Sequence, residues 1–509
     1  MASMRESIDC ELCIVGAGYA ALNALNAAAK YLNKGDRVVV IDRNETWGGQ
    51  WLGQYDFVRL HQPFRLFTAG DQRWTLERDR SHLATRREVL DHLATVPAIS
   101  AGHLEVAPLF RHEYRGHRNS EGRVEIDAAP LSNDGTAPKT VRIRARRLLK
   151  GTGRDIELLP PFRFSSTRVR SVAVSDPLLT TPEFLEGDAP VYVIGGGKTA
   201  MDTILHLARA GRRGRRRPLH LIAGSGMWFA VRDNAFPPGR RRYTGGTLTA
   251  DVFLRMCELF DGQNEAAVMA SLERQGLVMN VFGHAGNYRL ALLSLAERDE
   301  VRASVHEVHR GHLVDVDGVT MILREGAQRR EVPVADGSWF INCTTHFRPI
   351  PHEPILQDGG AVCAPQFAMG FSGASAYYVT HLWYRNQLAP VAPQFFRARV
   401  DVEPKLRFGP HVALMVMANM ALAGARLPLS IFAKFRGDLS KWYPLHRQLP
   451  LMLRIVSNRG GILRKAEELV KSRYSDALLP SESPTPEHQR STTLAVFAQP
   501  GENLLEARG

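Results

Sequence analysis

At 509 residues the chain has room for two or three domains and a large core. Its 44% hydrophobic and 23% charged residues exclude a disordered or fibrous chain. The formal net charge of +13 admits nucleic acid or an anionic membrane as partner. The arginine runs, however, carry no interleaved aromatics and sit on no nucleic-acid module, so nucleic acid is set aside.

Cys10 and Cys13 form a Cys-x-x-Cys at the approach to the first strand and read as buried structural thiols. Immediately after comes the first informative motif. The β-forming run Cys13-Ile-Val15 leads into Gly16-Ala-Gly18-Tyr-Ala-Ala21, and helix-favouring residues continue to Leu32. A strand that reverses tightly into a helix while approaching a pyrophosphate needs glycine at the first two of these positions. It needs a small residue such as Ala21 at the third. Gly35 ends the helix, and the next strand, Arg37–Ile41, ends at Asp42. A carboxylate about 20 residues on is placed to hold a ribose hydroxyl, with Arg43 beside it. Val141 to Leu149 is a further strand-like run, closed by Gly151-Thr152-Gly153.

A second turn of the same kind follows Tyr192-Val-Ile: Gly195-Gly-Gly197-Lys198-Thr199-Ala200. A helix is expected from Lys198 to Ala210 and a strand from Leu219 to Ala223. That strand ends in Gly224-Ser-Gly226, without an acid. A 2′-phosphate prefers arginine at this point. Arg212 to Arg217 precede the strand and so lie at the wrong end of the sheet. Arg232 and Arg240 to Arg242 follow it, which favours NADPH over NADH without excluding NADH. Two such turns in one chain suggest two dinucleotides facing each other, a nicotinamide beside a flavin.

Farther along, Val252, Met256, Leu259 and Phe260 recur at helical spacing in a segment expected to be largely helical, 247–276. Trp339 to Cys343 is strand-like and reads as the return to the first domain. Met369 to Ser375 opens a helix of aromatics, Tyr377 to Trp383. Val412 to Ala425 is apolar but too short to span a bilayer, which needs ~20 residues. It reads first as a buried helix and second, with Lys434, Arg436 and Lys441, as part of a peripheral membrane contact through 411–441. From Ser481 onward the composition is that of a mobile tail. Few scattered cysteines and no leader-like start give a cytoplasmic expectation. Histidines such as His346 and His381 lack ligand spacing, so no metal site is expected.

The fold class expected is therefore α/β: two Rossmann-like dinucleotide-binding domains plus a mostly helical C-terminal extension. The FAD-binding domain would comprise 1–163 and 339–400, with the NAD(P)-binding domain, 164–338, inserted in it. The extension is 401–480 and the tail 481–509.

Between the two turns lie Trp47-Gly-Gly49-Gln50-Trp51 and then Tyr55-Asp-Phe-Val-Arg59-Leu-His61-Gln-Pro63. With Leu148-Leu-Lys-Gly151-Thr152-Gly153, Asp202 after the second turn and Gly226-Met-Trp228, this order resembles the flavin-containing monooxygenase superfamily over roughly residues 10 to 390. The resemblance implies that NADPH reduces FAD and that one oxygen atom of O₂ passes to a small, apolar N- or S-nucleophile or keto acid. It places Gly49, Gln50, Trp51, Thr152 and Gly153 at the FAD, with His61 near the flavin. In an extended backbone Arg59 and His61 point to one face. His61 is thus the leading catalytic donor and Arg59 a lesser one. Cys343-Thr-Thr345-His346 departs from the family's second Ala-Thr-Gly motif, and the linker from Pro160 to Ser175 lacks the Baeyer–Villiger histidine. The alternative is an FAD-dependent NAD(P)H dehydrogenase passing electrons to a quinone or protein partner. A non-catalytic redox sensor is the third reading.

Overall fold

The structure, a computed structural model, describes residues 7–131, 140–153, 156–210, 217–347, 353–365, 368–369, 371–398, 409–471 and 478–480. The expected tail and the arginines 212–216 lie outside the described residues.

Strand β1 (Ser7–Val15) is the centre of the first sheet, and its last four residues are buried. Helix α1 (Tyr19–Ala28) follows the first glycine turn; its alanines let it lie almost wholly inside the protein. Parallel strands β2 (Arg37–Ile41) and β3 (Glu105–Leu109) extend the sheet on one side. Helix α2 (Arg86–Ala101) precedes β3 and starts on a Thr85–Glu88 capping box. The antiparallel hairpin β4 (His112–Ser120) and β5 (Arg123–Pro130) leads to β6 (Val141–Lys150), which pairs in parallel with β1 on its other side.

The chain leaves through β7 (Ile156–Leu158) and builds a second, all-parallel sheet. Its first three strands are β8 (Arg170–Ala173), β9 (Val191–Ile194) and β10 (Leu219–Ile222), with short helix α3 (Pro182–Leu185) and helix α4 (Lys198–Ala210) between them. All four residues of β9 and all four of β10 are buried, as a sheet covered on both faces requires. A large excursion follows. It runs from β11 (Gly226–Val231) through α5 (Arg232–Ala235), α6 (Arg241–Thr244), α7 (Thr249–Leu259) and α8 (Glu265–Arg274) to β12 (Val278–Ala285) and β13 (Tyr288–Leu293). Strands β11, β12 and β13 form their own small sheet. Helix α9 (Leu295–Ser304) returns the chain to edge strand β14 (Val305–His309). The meander β15 (His312–Asp317), β16 (Thr320–Glu325) and β17 (Gln328–Pro333) contributes Leu313, Val316, Met321 and Leu323 to an apolar cluster with Tyr192, Ile222 and Phe340.

The expected return to the first domain at 339 is corrected here. Strand β18 (Trp339–Asn342) lies inside the second sheet, between β9 and β8. Its buried Phe340 and Ile341 suit an interior strand of either sheet, so the run alone could not say which. The return strand β19 (Thr345–Phe347) pairs with outgoing β7, so both crossings lie side by side. After β20 (Leu356–Gln357), β21 (Val362–Cys363) rejoins the first sheet in parallel with β6. Helix α10 (Ser372–Tyr384) then packs on α1.

The last described helices are α11 (Pro410–Gly424), α12 (Leu429–Lys434) and α13 (Leu445–Lys471). Residues 412–419 of α11 are all buried, in a cluster shared with α7, α8 and α13. This stretch of α11 is covered by protein, as the buried-helix reading of the apolar run requires. Exposed apolar residues in this extension are Leu429, at the start of α12, and Leu445, Leu449, Met452, Leu453 and Val456 along α13. No helix among the described residues is long and apolar enough to cross a membrane.

Candidate functional site

The first glycine turn is shaped by backbone crowding. Gly16 has φ +106°, and a Cβ there would lie 2.7 Å from the Gly151 carbonyl oxygen, just past the end of β6. A Cβ on Gly49, at φ +56°, would lie 2.6 Å from the Gly18 Cα, so these two backbones touch. Ala21 is buried beneath the turn, where a Cβ on Gly151 would meet its Cα at 3.0 Å. Asp42 ties the end of β2 to the turn. Its Oδ2 accepts the Ala17 N–H at 2.6 Å, and its Oδ1 accepts the Asn44 backbone and side-chain N–H groups at 2.7 and 2.8 Å.

Above this turn opens a cavity of about 820 Å³. It brings together Gly16, Gly18, Asp42, Arg43, Gly49, Gln50, His61, Thr152 and Gly153, all marked by the sequence. Gly18 is the N-cap of α1 and supplies no side-chain cap, and the first turn of α1 holds no acid. The amides of a helix's first turn have no intrahelical acceptor, so this end of the cavity suits an anion. The cavity continues into the second part of the chain. Its walls include Ala230 of β11, Val252 and Phe253 of α7, and Leu290 and Leu292 of β13, with Phe371 and Ser372 at the start of α10. Tyr19 and Phe67 stack in its wall with ring centroids 4.2 Å apart. Leu290 holds φ +57°, a left-handed conformation rare for leucine and a strain of the kind found at functional sites.

His61 is the best-defined polar group in this cavity. The Leu292 N–H donates to its Nδ1 at 3.1 Å. Burial first, then the charges of Lys198 and Arg232, push its pKa down to about 3 against the opposing Glu297. The ring is therefore neutral near pH 7, and an occupied Nδ1 acceptor leaves the proton on Nε2. Arg59 does not join it. Its guanidinium lies on the surface and donates to the Leu83 carbonyl at 3.2 Å, and its backbone bridges Thr85. This corrects Arg59 as a catalytic candidate. Trp51 also lies outside the cavity, buried against Phe67 with centroids 5.5 Å apart.

The second turn, Gly195 to Ala200, lies outside this cavity. Gly195 has φ +121°, but the most crowded position is the middle one: a Cβ on Gly196 would lie 2.5 Å from the Ala223 carbonyl oxygen. Gly197 has more room, with Met227 3.9 Å from its virtual Cβ, and Ala200 is core. Lys198 forms an ion pair with Asp202 one turn on. The Tyr55 hydroxyl, from the first part of the chain, donates to Asp202 Oδ2 at 2.8 Å. Burial, then Asp202, raises the Tyr55 pKa well above its ordinary value, so it stays protonated; Thr199 is also within its hydrogen-bonding reach.

Arg232, expected at the 2′-phosphate, is anchored inside the protein by one nitrogen, while its Nη1 is buried with no hydrogen-bond partner among the described residues. Its Nη2 pairs with Glu297 at 2.7 Å, each side chain 15% exposed. Burial opposes the Glu297 charge, but the Arg232 hydrogen bond and charge outweigh it and hold the carboxyl below its usual range. Glu297 also closes a capping box with Ser294 at the start of α9. Near the end of β10 stand two histidines that the motif reading missed. His284 Nε2 is 3.2 Å from the Gly224 carbonyl, and His312 lies 3.3 Å from a virtual Gly224 Cβ. The Lys198–Asp202 pair and the Ser294–Glu297 box were legible as i,i+4 and capping spacings; their tertiary partners were not.

All five cysteines are free and buried. Burial pushes the Cys10 and Cys343 thiols up to about 12, so neither is a ready thiolate.

No known family profile matches the chain. It is similar to uncharacterized proteins of Mycobacterium tuberculosis and Mycobacterium bovis, 26% identical over 376 residues. That match covers 69% of this chain and 63% of those proteins, so the chain spans less than two thirds of the relatives it matches. Among solved structures, it is similar to an oxidized steroid monooxygenase bound to NADP at 14% identity and TM-score 0.47, covering 93% of this chain and 99% of that one. A polycyclic ketone monooxygenase from Thermothelomyces thermophila matches at 11% identity and TM-score 0.48, covering 95% and 91%. A bacillithiol disulfide reductase from Bacillus cereus matches at 10% and 0.42, covering 75% and 99%.

Proposed function

We propose that this chain is an FAD- and NAD(P)H-dependent oxidoreductase acting as a monooxygenase, with NADPH as its preferred reductant. The observation that carries the reading is the continuous cavity, which starts at the uncapped first turn of α1 and ends against β11, β13 and α7. Its inner end thus lies among elements of the second part of the chain.

The residues present fit a dinucleotide at the first turn. The α1 amides suit its pyrophosphate and Asp42 its ribose, while Gln50, Thr152 and Gly153 line the way inward. A bound flavin supplies hydride acceptance and O₂ activation. The chain supplies the surroundings. The neutral His61 offers an Nε2–H donor held by the Leu292 amide. Phe67, Phe253 and Leu292 exclude water from the inner cavity and favour an apolar substrate. The N-terminal end of α10 favours negative charge beside it. The reaction balances as NADPH, H⁺, O₂ and substrate giving NADP⁺, water and the substrate carrying one oxygen atom.

The test is product analysis with amines, sulfides, ketones and α-keto acids, recorded with NADPH and O₂ consumption. Equal consumption of NADPH and O₂, matched by oxygenated product, is expected. Turnover with a quinone acceptor under anaerobic conditions, and no oxygenated product in air, would replace oxygenation by the dehydrogenase reading. Retained FAD that neither NADPH nor NADH reduces would favour a redox sensor.

A further inference from the structure

We propose that the second sheet carries a divalent transition-metal site formed by His220, Glu307 and His309, with zinc-binding chemistry. In the parallel pairing of β10 and β14, His220 lies opposite Glu307 and Ile222 opposite His309. The two-residue period puts Glu307 and His309 on the same face of β14. Their ligand atoms converge: His220 Nδ1 is 3.9 Å from one Glu307 carboxylate oxygen, His309 Nδ1 is 3.6 Å from the other, and all three lie within 4.8 Å of one another.

These distances are too long for hydrogen bonds. They are close to the roughly 3.3 Å that separates ligand atoms around a tetrahedral ion with bonds of about 2.0–2.2 Å. The second observation is burial without partners. His220 is 9% exposed and His309 1%, yet His220 Nδ1 and both ring nitrogens of His309 are buried with no hydrogen-bond partner among the described residues. Around them are Tyr192, stacked on His220 at 4.4 Å, and a cluster of Ile222, Leu313 and Phe340 that offers no acceptor. Native proteins pair nearly all buried polar atoms, and a cation between the two imidazoles and the carboxylate would engage both Nδ1 atoms.

The donor set selects the ion. Two imidazoles and one carboxylate suit zinc and its neighbours, whereas calcium and magnesium prefer all-oxygen shells. The Glu307 side chain is 56% exposed, which gives the ion a path in and leaves a position for water. The three residues lie outside the large cavity, so the inference does not depend on the flavin reading. Spacing along the chain could not reveal it, because the ligands come from two paired strands.

The experiment uses the full chain, without an affinity tag, stripped by a chelator and titrated with zinc against a chromophoric chelator. One zinc per chain is expected. Glu307→Gln keeps the buried packing and is expected to weaken binding at least about tenfold. His220→Gln does the same, and zinc raises the Tm of the native chain but not of Glu307→Gln. His103→Ala, at a surface histidine, leaves binding unchanged. Absence of stoichiometric zinc, or equal affinity in the native chain and Glu307→Gln, overturns the proposal and leaves the rings as packing alone.

Discussion

Replacing Arg232 by methionine tests the electrostatics beside His61. The change keeps most of the side-chain volume but removes the partner of Glu297, 2.7 Å away and 15% exposed. Removing one member of a buried pair costs about 3–5 kcal/mol. Glu297 keeps its Ser294 amide and some solvent, which puts the loss near the lower end. About 3 kcal/mol corresponds to a fall in Tm of roughly 3 °C for a chain of this size. The pH dependence also changes. In the native chain the Glu297 pKa is depressed below its ordinary 4.5, so its stabilisation is present above that pH and lost as pH falls through the folded value. With Arg232 gone, its two lowering influences are lost while burial, Lys198 and the Ser294 amide remain, so the folded pKa rises relative to that of the native chain. The variant's deficit relative to the native chain therefore narrows as pH falls from 7 into the carboxylate range. Differential scanning calorimetry across that range measures both effects. Arg232→Met/Glu297→Gln should recover most of the loss, because no charge is left unpaired. A Tm within about 1 °C of native for Arg232→Met, or no recovery in the double variant, would refute the reasoning.

Gly16→Ala is expected to lower the ratio of bound flavin to protein, read from absorbance, because at φ +106° its Cβ would lie 2.7 Å from the Gly151 oxygen. Tyr55→Phe removes the 2.8 Å bond to Asp202 and should cost about 1–2 kcal/mol, with the KM for NADPH rising more than kcat falls. His61 is neutral above about pH 3, so its ionisation adds no inflection to kcat between pH 5 and 8. His61→Gln should keep the profile's shape at a lower rate; an inflection near 6.5 that this substitution abolishes would contradict the assignment. The depressed His61 pKa also means its stability contribution is lost as pH falls from 6.5 toward 3, since the unfolded state then binds the proton.

Much of the frame was legible because its causes are local. Gly16, Ala21 and Gly195 answer to tight turns, and Asp42 to a strand of readable length. Other features depended on elements far apart in sequence. Gly49 touches Gly18 because two loops meet. That Arg232 pairs with Glu297 could not be read, since spacing after a strand gives no direction to a long side chain. Arg59 alternates correctly with His61, yet a single bridge to Thr85 leaves it on the surface. The run Trp339–Asn342 reads as a strand in either sheet, and only pairing assigns it. The same limit hid the converging ligands on β10 and β14.

The most direct measurement mixes the purified chain, its flavin reduced by NADPH without oxygen, with O₂ and a converted substrate, and weighs the product. The account predicts one atom of ¹⁸O from ¹⁸O₂ in each product molecule and none from H₂¹⁸O. Reoxidation that yields only hydrogen peroxide with every substrate class, or product oxygen drawn from water, would contradict it.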